Sequence, residues 1–63
     1  MCESIVFLEQ KGEVKEMLRD VARIVSEGHD VICTSIIGER VVLERVRFKE
    51  ANFLSHGIVF ERE

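Results

Sequence analysis

The sequence predicts an all-β fold of short strands, and two features of its pattern support this prediction. Four glycines punctuate the chain at intervals that suit turns between short strands, namely Gly12, Gly28, Gly38 and Gly57. Residues 31–37 are dense in β-branched side chains, which favour extended backbone. With 63 residues and neither a linker nor an internal repeat, the chain has room for one hydrophobic core. We therefore expect one small domain over residues 1–63.

The other strands are predicted where β-branched and aromatic residues lie between turn-forming residues. A first strand over residues 2–9 contains Ile5, Val6 and Phe7. Further strands are predicted at residues 31–37, 41–48 and 58–60. Turns are predicted at residues 10–13, 38–39 and 55–57, where glycine and polar residues concentrate.

The segment at residues 13–26 fits two structures. Its apolar residues fall at the spacing of an amphipathic helix, with acids near the start and Gly28 beyond the end. The residues of this stripe are Val14, Met17, Leu18, Val21 and Val25. The alternative is a short strand that ends near Leu18 and a second strand at residues 21–25, where Arg23 interrupts the apolar alternation. The periodicity favours the helix, and both structures stay open at this point.

Charge and composition narrow the classes of function. The net charge is −3, and nine Lys and Arg residues are interleaved with twelve acids. Because nucleic-acid binders carry a basic excess that displaces counterions from phosphates, this balance argues against nucleic acid. The densest positive stretch contains Arg40, Arg45, Arg47 and Lys49, but acids lie among these residues, so we expect a solvated face.

The sequence carries no pattern typical of an enzyme or of a membrane protein. It lacks the motifs of serine hydrolases, dinucleotide-binding folds, P-loops and zinc proteases, so we expect that the protein is not an enzyme. The amino terminus has no cationic region before its apolar run, and no apolar stretch approaches the ~20 residues that a membrane span needs. We therefore expect a cytoplasmic protein in which Cys2 and Cys33 remain thiols.

Three stretches together give the chain a resemblance to a known family. The first is Met1-Cys2, which leads directly into a strand. The second is Asp20-Val21-Ala22-Arg23-Ile24, followed by Glu27-Gly28-His29-Asp30 and an apolar strand. The third is Ile36-Ile37-Gly38-Glu39, continued by Phe53-Leu54-Ser55-His56-Gly57-Ile58-Val59. In order, spacing and length, the chain resembles the CooT family of small nickel-binding proteins. It departs from the family pattern at Asn52, where an acid is expected.

The resemblance implies both a fold and a function. The implied fold is a small SH3-like β-barrel that forms a homodimer, with residues 13–26 as strands rather than a helix. The implied function is that of a nickel chaperone, which delivers nickel(II) to carbon monoxide dehydrogenase, to a similar nickel enzyme, or to its maturation proteins. In this family the metal-binding residue corresponds to Cys2 of this chain.

Coordination chemistry is compatible with nickel at Cys2. The α-amino group of Met1 and the amide nitrogen and thiolate of Cys2 form a set of adjacent donors, or Cys2 alone chelates if Met1 is removed. One chain supplies too few donors for a closed site, so we expect a two-fold axis that brings two Cys2 residues together. His29 or His56 could add a nitrogen ligand, but each lies beside a glycine in a predicted turn, where a solvated imidazole is the usual outcome.

Simpler interpretations stand beside these. Cys33 lies within the strongest predicted strand, where a small buried hydrophobic residue is expected. The phenylalanines are expected in the core rather than as platforms that stack on bases, and they are Phe7, Phe48, Phe53 and Phe60. The alternative function is that of a small barrel that binds RNA or a protein partner.

Overall fold

In the computed structural model, residues 4–62 are described and form strands joined by turns. The strands in chain order are β1 (Ile5–Gln10), β2 (Glu13–Leu18), β3 (Val21–Glu27), β4 (Asp30–Ser35), β5 (Arg40–Leu43), β6 (Val46–Asn52) and β7 (Gly57–Arg62). These residues contain no helix, and therefore none that could cross a membrane. The prediction of an all-β fold is confirmed.

The strands belong to two sheets. One has the order β2-β1-β7-β6 and the other the order β3-β4-β5. β1 and β7 run parallel, and the remaining pairs are antiparallel. Backbone hydrogen bonds also link the sheets, from Val21 N–H to the Ser4 carbonyl (3.0 Å) and from Val46 N–H to the His29 carbonyl (2.9 Å). Because no ladder of strand pairs joins the two sheets within residues 4–62, the expected barrel is not closed.

One hydrophobic core lies between the sheets. In β4 the buried residues Val31, Cys33 and Ser35 alternate with partly exposed ones, as expected for a strand with one face in the core. Every strand contributes to the buried apolar cluster, which consists of Val6, Leu8, Leu18, Val21, Val31, Cys33, Leu43, Val46 and Phe60. Burial of this shared apolar surface is what holds the two sheets together.

The helix favoured by periodicity at residues 13–26 is wrong. β2 and β3 occupy the segment, and a bend at Arg19 and Asp20 separates them. Asp20 has a positive φ of 54°, a conformation that ends a strand and that short polar side chains tolerate. The helical stripe was a coincidence of two strands in series, because Leu18 is buried at the end of one strand and Val21 at the start of the next.

Two of the predicted strands are shortened or divided by turns, and the strands predicted at residues 2–9 and 58–60 are observed at Ile5–Gln10 and Gly57–Arg62. The strand predicted at residues 31–37 ends at Ser35, whose buried hydroxyl accepts hydrogen bonds from the N–H groups of Ile37 (3.3 Å) and Glu39 (3.0 Å). The strand predicted at residues 41–48 is two strands, β5 and β6. Arg45 separates them with a φ of 56°, and its N–H donates to Asp30 Oδ1 (3.3 Å). The first turn is held locally by the Ser35 hydroxyl and the second by Asp30 from fifteen residues away, and both interrupt a β-branched sequence.

Candidate metal site

The predicted donors Cys2 and Met1 lie outside the residues that the structure describes. What the structure does describe is the place where the chain enters β1, at Ser4 and Ile5. We call this end of the molecule the entry end. It is the described part of the chain that follows most directly on the two predicted donors.

Backbone hydrogen bonds bring three distant turns to the entry end. Ile5 N–H donates to the His56 carbonyl at 2.8 Å, which attaches the β6–β7 turn to the start of β1. The bond from Val21 N–H to the Ser4 carbonyl brings the β2–β3 bend to the same place. Ile36 N–H donates to the carbonyl of Asp20, the residue before Val21, at 2.9 Å. The β4–β5 turn therefore joins this end as well.

The β6–β7 turn is fixed by Asn52. Its side-chain Oδ1 accepts hydrogen bonds from the N–H groups of Leu54 (3.0 Å) and Ser55 (3.1 Å), which is the geometry of an Asx turn. A carboxylate oxygen could accept the same two bonds, so Asn52 replaces the acid expected at this position without loss of the turn. The turn ends at His56 with a φ of 61°.

The turns at the entry end carry an exposed apolar surface. The exposed fraction is 61% for Ile36 and 77% for Ile37 in the β4–β5 turn, and 82% for Phe53 and 94% for Leu54 in the β6–β7 turn. We call these four residues the entry-end patch. Exposed apolar side chains on turns that meet at one end of a small protein offer a candidate interaction surface. Sequence analysis missed the patch, although both apolar pairs directly precede residues predicted to form turns.

The two histidines lie at different ends of the molecule. His56 is exposed at the entry end, next to Ile5. His29 lies in the turn after β3, and that strand begins at the entry end and runs away from it for seven residues, roughly 20 Å. Of the two candidate imidazoles, only His56 lies near the start of the chain in the same protomer.

Cys33 is a core residue. Its side chain is fully buried, and burial raises the pKa of its thiol above the ordinary value. A buried thiol with a raised pKa is disfavoured as a thiolate, the form that binds metals. Residues 4–62 contain no group of three or more His, Cys, Asp or Glu side chains arranged to hold a metal ion.

The four phenylalanines were expected in the core, but the structure places only some of them there. Phe60 is buried and Phe7 is half-buried, whereas Phe48 and Phe53 are exposed. The rings of Phe48 and Phe60 form a T-shaped pair, with their centroids 6.0 Å apart. Phe53 is exposed because the Asx turn that begins at Asn52 projects beyond the sheet.

The cations predicted to form a solvated face are exposed in the structure: Arg40, Arg45, Arg47 and Lys49. Two of them are paired with acids on other strands of the same sheet. Arg47 Nε lies 2.8 Å from Glu61 Oε2, and Lys49 Nζ lies 2.5 Å from Glu9 Oε1. This pairing leaves no continuous positive track along β6.

Comparisons with known proteins agree on the family and the fold. The model of the family described as CO dehydrogenase accessory protein CooT matches residues 1–61. The crystal structure of a CooT candidate from Carboxydothermus hydrogenoformans matches with a TM-score of 0.85 and 24% sequence identity, over 98% of this chain and 98% of that one. A search among curated proteins finds no match. The resemblance noted in the sequence is confirmed: the chain belongs to the CooT family of CO dehydrogenase accessory proteins.

Proposed function

We propose that this protein is a nickel chaperone for CO dehydrogenase or a similar nickel enzyme. In the proposal it binds nickel(II) through Cys2 and Met1 at the interface of a homodimer and has no enzymatic activity of its own. Membership in a family of CO dehydrogenase accessory proteins supports the maturation role. The observation that supports a metal site at a dimer interface is the entry-end patch beside the start of β1.

The donor chemistry supports nickel at Cys2. A thiolate and nearby nitrogen donors suit the square-planar geometry that nickel(II) accepts. The α-amino group and the thiol have ordinary pKa values of about 8 and 8.5, so a metal displaces their protons readily near neutral pH. His56 at the entry end is the described imidazole that could complete the set.

The chain's own geometry connects the metal to the dimer. Two residues of extended chain span at most about 7 Å, so a metal held by Cys2 would lie within reach of the entry end, where the chain continues at Ser4. A two-fold axis through this end would bring two Cys2 residues together and would also cover Ile37 and Leu54. Metal binding and dimerisation would then reinforce each other, because a ligand that binds the assembled state stabilises it.

A nickel titration of the purified protein tests this proposal. Wild type is expected to develop thiolate-to-nickel charge-transfer absorption that saturates at a fixed ratio of metal to protein. Cys2→Ser should lose the band, and Cys33→Ala, the matched control at the other cysteine, should keep it because Cys33 is buried in the core. Equal nickel affinity in wild type and Cys2→Ser would remove Cys2 from the site.

RNA binding is the second candidate, and exposed aromatic rings favour it. Phe48 and Phe53 present rings to solvent that could stack on bases. Against it, Arg47 and Lys49 are paired with acids, and the net charge is −3. RNA binding would survive Cys2→Ser and would weaken steeply as salt increases. Nickel binding by the proposed site would be lost in Cys2→Ser and would not weaken steeply with salt.

A further inference from the structure

The outward face of the β3-β4-β5 sheet carries its side chains in rows that cross the strands. The first row consists of Arg23, Thr34 and Arg40, which are directly paired across the three strands. The second row consists of Val25, Ile32 and Val42, paired in the same way. A third row begins with Glu27 opposite Asp30. These positions alternate with the buried residues of the sheet, so all three rows face away from the core. We call this surface the three-row face.

The basic row holds two guanidinium groups with no acidic partner among the described residues. Within residues 4–62, the side chains of Arg23 and Arg40 form neither a hydrogen bond nor an ion pair. On the other sheet, by contrast, Arg47 and Lys49 are each matched by an acid. With neighbouring strands about 4.8 Å apart, the two arginines are about 10 Å apart at the backbone, on either side of the Thr34 hydroxyl. An anion above Thr34 would meet two guanidinium groups and a hydroxyl.

The other two rows select the kind of anion. Val25 and Ile32 are half-buried and Val42 is half-exposed, so the second row offers an apolar strip directly beside the basic row. Beyond the apolar strip, the carboxylates of Glu27 and Asp30 would repel a second negative group on a ligand whose first negative group is bound at the basic row. A polyanion running along the strands is therefore disfavoured. A carboxylate followed by an apolar group and then a cation is matched at every row.

We propose that the three-row face docks an extended segment of a partner protein that presents a carboxylate, an apolar side chain and a cation in that order. Rows two residues apart along a strand lie about 6.6 Å apart, so the first and third rows are about 13 Å apart. An extended segment repeats this spacing at alternate residues. Its carboxylate would bind at Arg23 and Arg40, and its cation at Glu27 and Asp30.

The size of the face favours a segment over a second copy of this chain. The rows span three strands in width and about 13 Å in length, which is a few hundred Å² at most. A stable dimer needs about 800 Å² from each partner. A small, charge-matched surface suits a transient contact, as an accessory protein requires. This docking site includes neither Cys2 nor the entry-end patch. The docking proposal can therefore be refuted while the proposed metal function stands, and the metal function can be refuted while the docking proposal stands.

An NMR titration of the full chain tests the docking site. The probe is the blocked peptide Asp-Ser-Val-Ser-Lys, which presents the three required groups at alternate positions. Its addition is expected to shift the amide signals of Arg23, Thr34, Arg40 and Val42. The double variant Arg23→Glu/Arg40→Glu should bind this peptide at least about tenfold more weakly. It should instead gain affinity for the peptide Lys-Ser-Val-Ser-Lys, because its first row is then acidic.

The matched control is Lys11→Glu/Lys15→Glu, which makes the same change in net charge at exposed positions of the β1–β2 hairpin, away from the three-row face. It should bind the first peptide as wild type does. A dispersed spectrum of each variant establishes that it is folded, and the milder pair Arg23→Gln/Arg40→Gln provides a second test. Unchanged affinity in the Arg23→Glu/Arg40→Glu variant, or shifts located on other strands, would overturn the proposal. Tighter binding of oligouridylate than of the peptide at this face would replace it with a nucleic-acid site. If the sedimentation coefficient of the Arg23→Glu/Arg40→Glu variant differs from that of wild type, the three-row face is instead a surface for self-association.

Discussion

Replacement of Leu54 by alanine is expected to weaken the proposed homodimer by about a thousandfold. Leu54 is 94% exposed in the single chain, so the substitution removes almost no contact within the protomer. In a dimer formed through the entry end, it removes about three buried carbons per copy, or about 2 kcal/mol. Both copies contribute to a two-fold interface, which gives about 4 kcal/mol and roughly three orders of magnitude in the dimer dissociation constant.

Sedimentation velocity over a dilution series, with nickel present, measures this dissociation constant. Val14→Ala is the control, because Val14 is 55% exposed on β2, near the β1–β2 hairpin and away from the entry end. We expect Leu54→Ala to sediment as a monomer at concentrations where wild type and Val14→Ala remain dimeric. The thermal midpoint of the monomer should be unchanged. A dimer that tolerates Leu54→Ala, or that is equally weakened by Val14→Ala, would refute the assignment of the interface to the entry-end patch.

Two further predictions concern stability. Burial raises the pKa of the Cys33 thiol above its ordinary value, so the unfolded chain loses this proton first as the pH rises. The contribution to stability is complete below the ordinary pKa of a thiol and falls at higher pH toward the folded-state pKa. Chemical denaturation from pH 8 to 10 should show this decline in wild type and a smaller one in Cys33→Ala, and identical slopes would contradict it. At the β6–β7 turn, Asn52→Ala should lower the free energy of unfolding by about 1–2 kcal/mol, since two N–H groups lose their acceptor, while Asn52→Asp should stay close to wild type. Urea denaturation measures both variants, and an equal loss in the two would rule out the proposed role of the Oδ1 acceptor.

Local sequence pattern could predict a strand where the alternation of buried and partly exposed residues is complete within that strand. β4 is an example, because Val31 and Cys33 alternate with partly exposed residues over a short, β-branched run. The segment at residues 13–26 could not be predicted from its own periodicity. Its two strands pair with β1 and β4, and these contacts outside the segment override the local helical spacing. The break at Arg45 likewise depends on Asp30, fifteen residues earlier in the chain.

Neither part of the candidate site could be predicted from a local sequence pattern. Cys2 was identified through a family resemblance, since a single cysteine near a chain terminus has no spacing pattern that marks it as a ligand. The entry end depends on hydrogen bonds between residues far apart in sequence, such as Ile5 with His56 and Ile36 with Asp20. No window of the sequence contains these pairs. The exposure of Phe53 and Leu54 was therefore hidden, and the aromatic residue was expected in the core.

The most direct test of the central claim is native mass spectrometry of the intact protein with and without nickel(II). The account predicts that nickel shifts wild type to a dimer that carries the metal. It also predicts that Cys2→Ser remains metal-free under the same conditions, while Cys33→Ala behaves as wild type. A monomer that binds nickel by itself, or a nickel-bound dimer that forms equally well without the Cys2 thiol, would contradict the account.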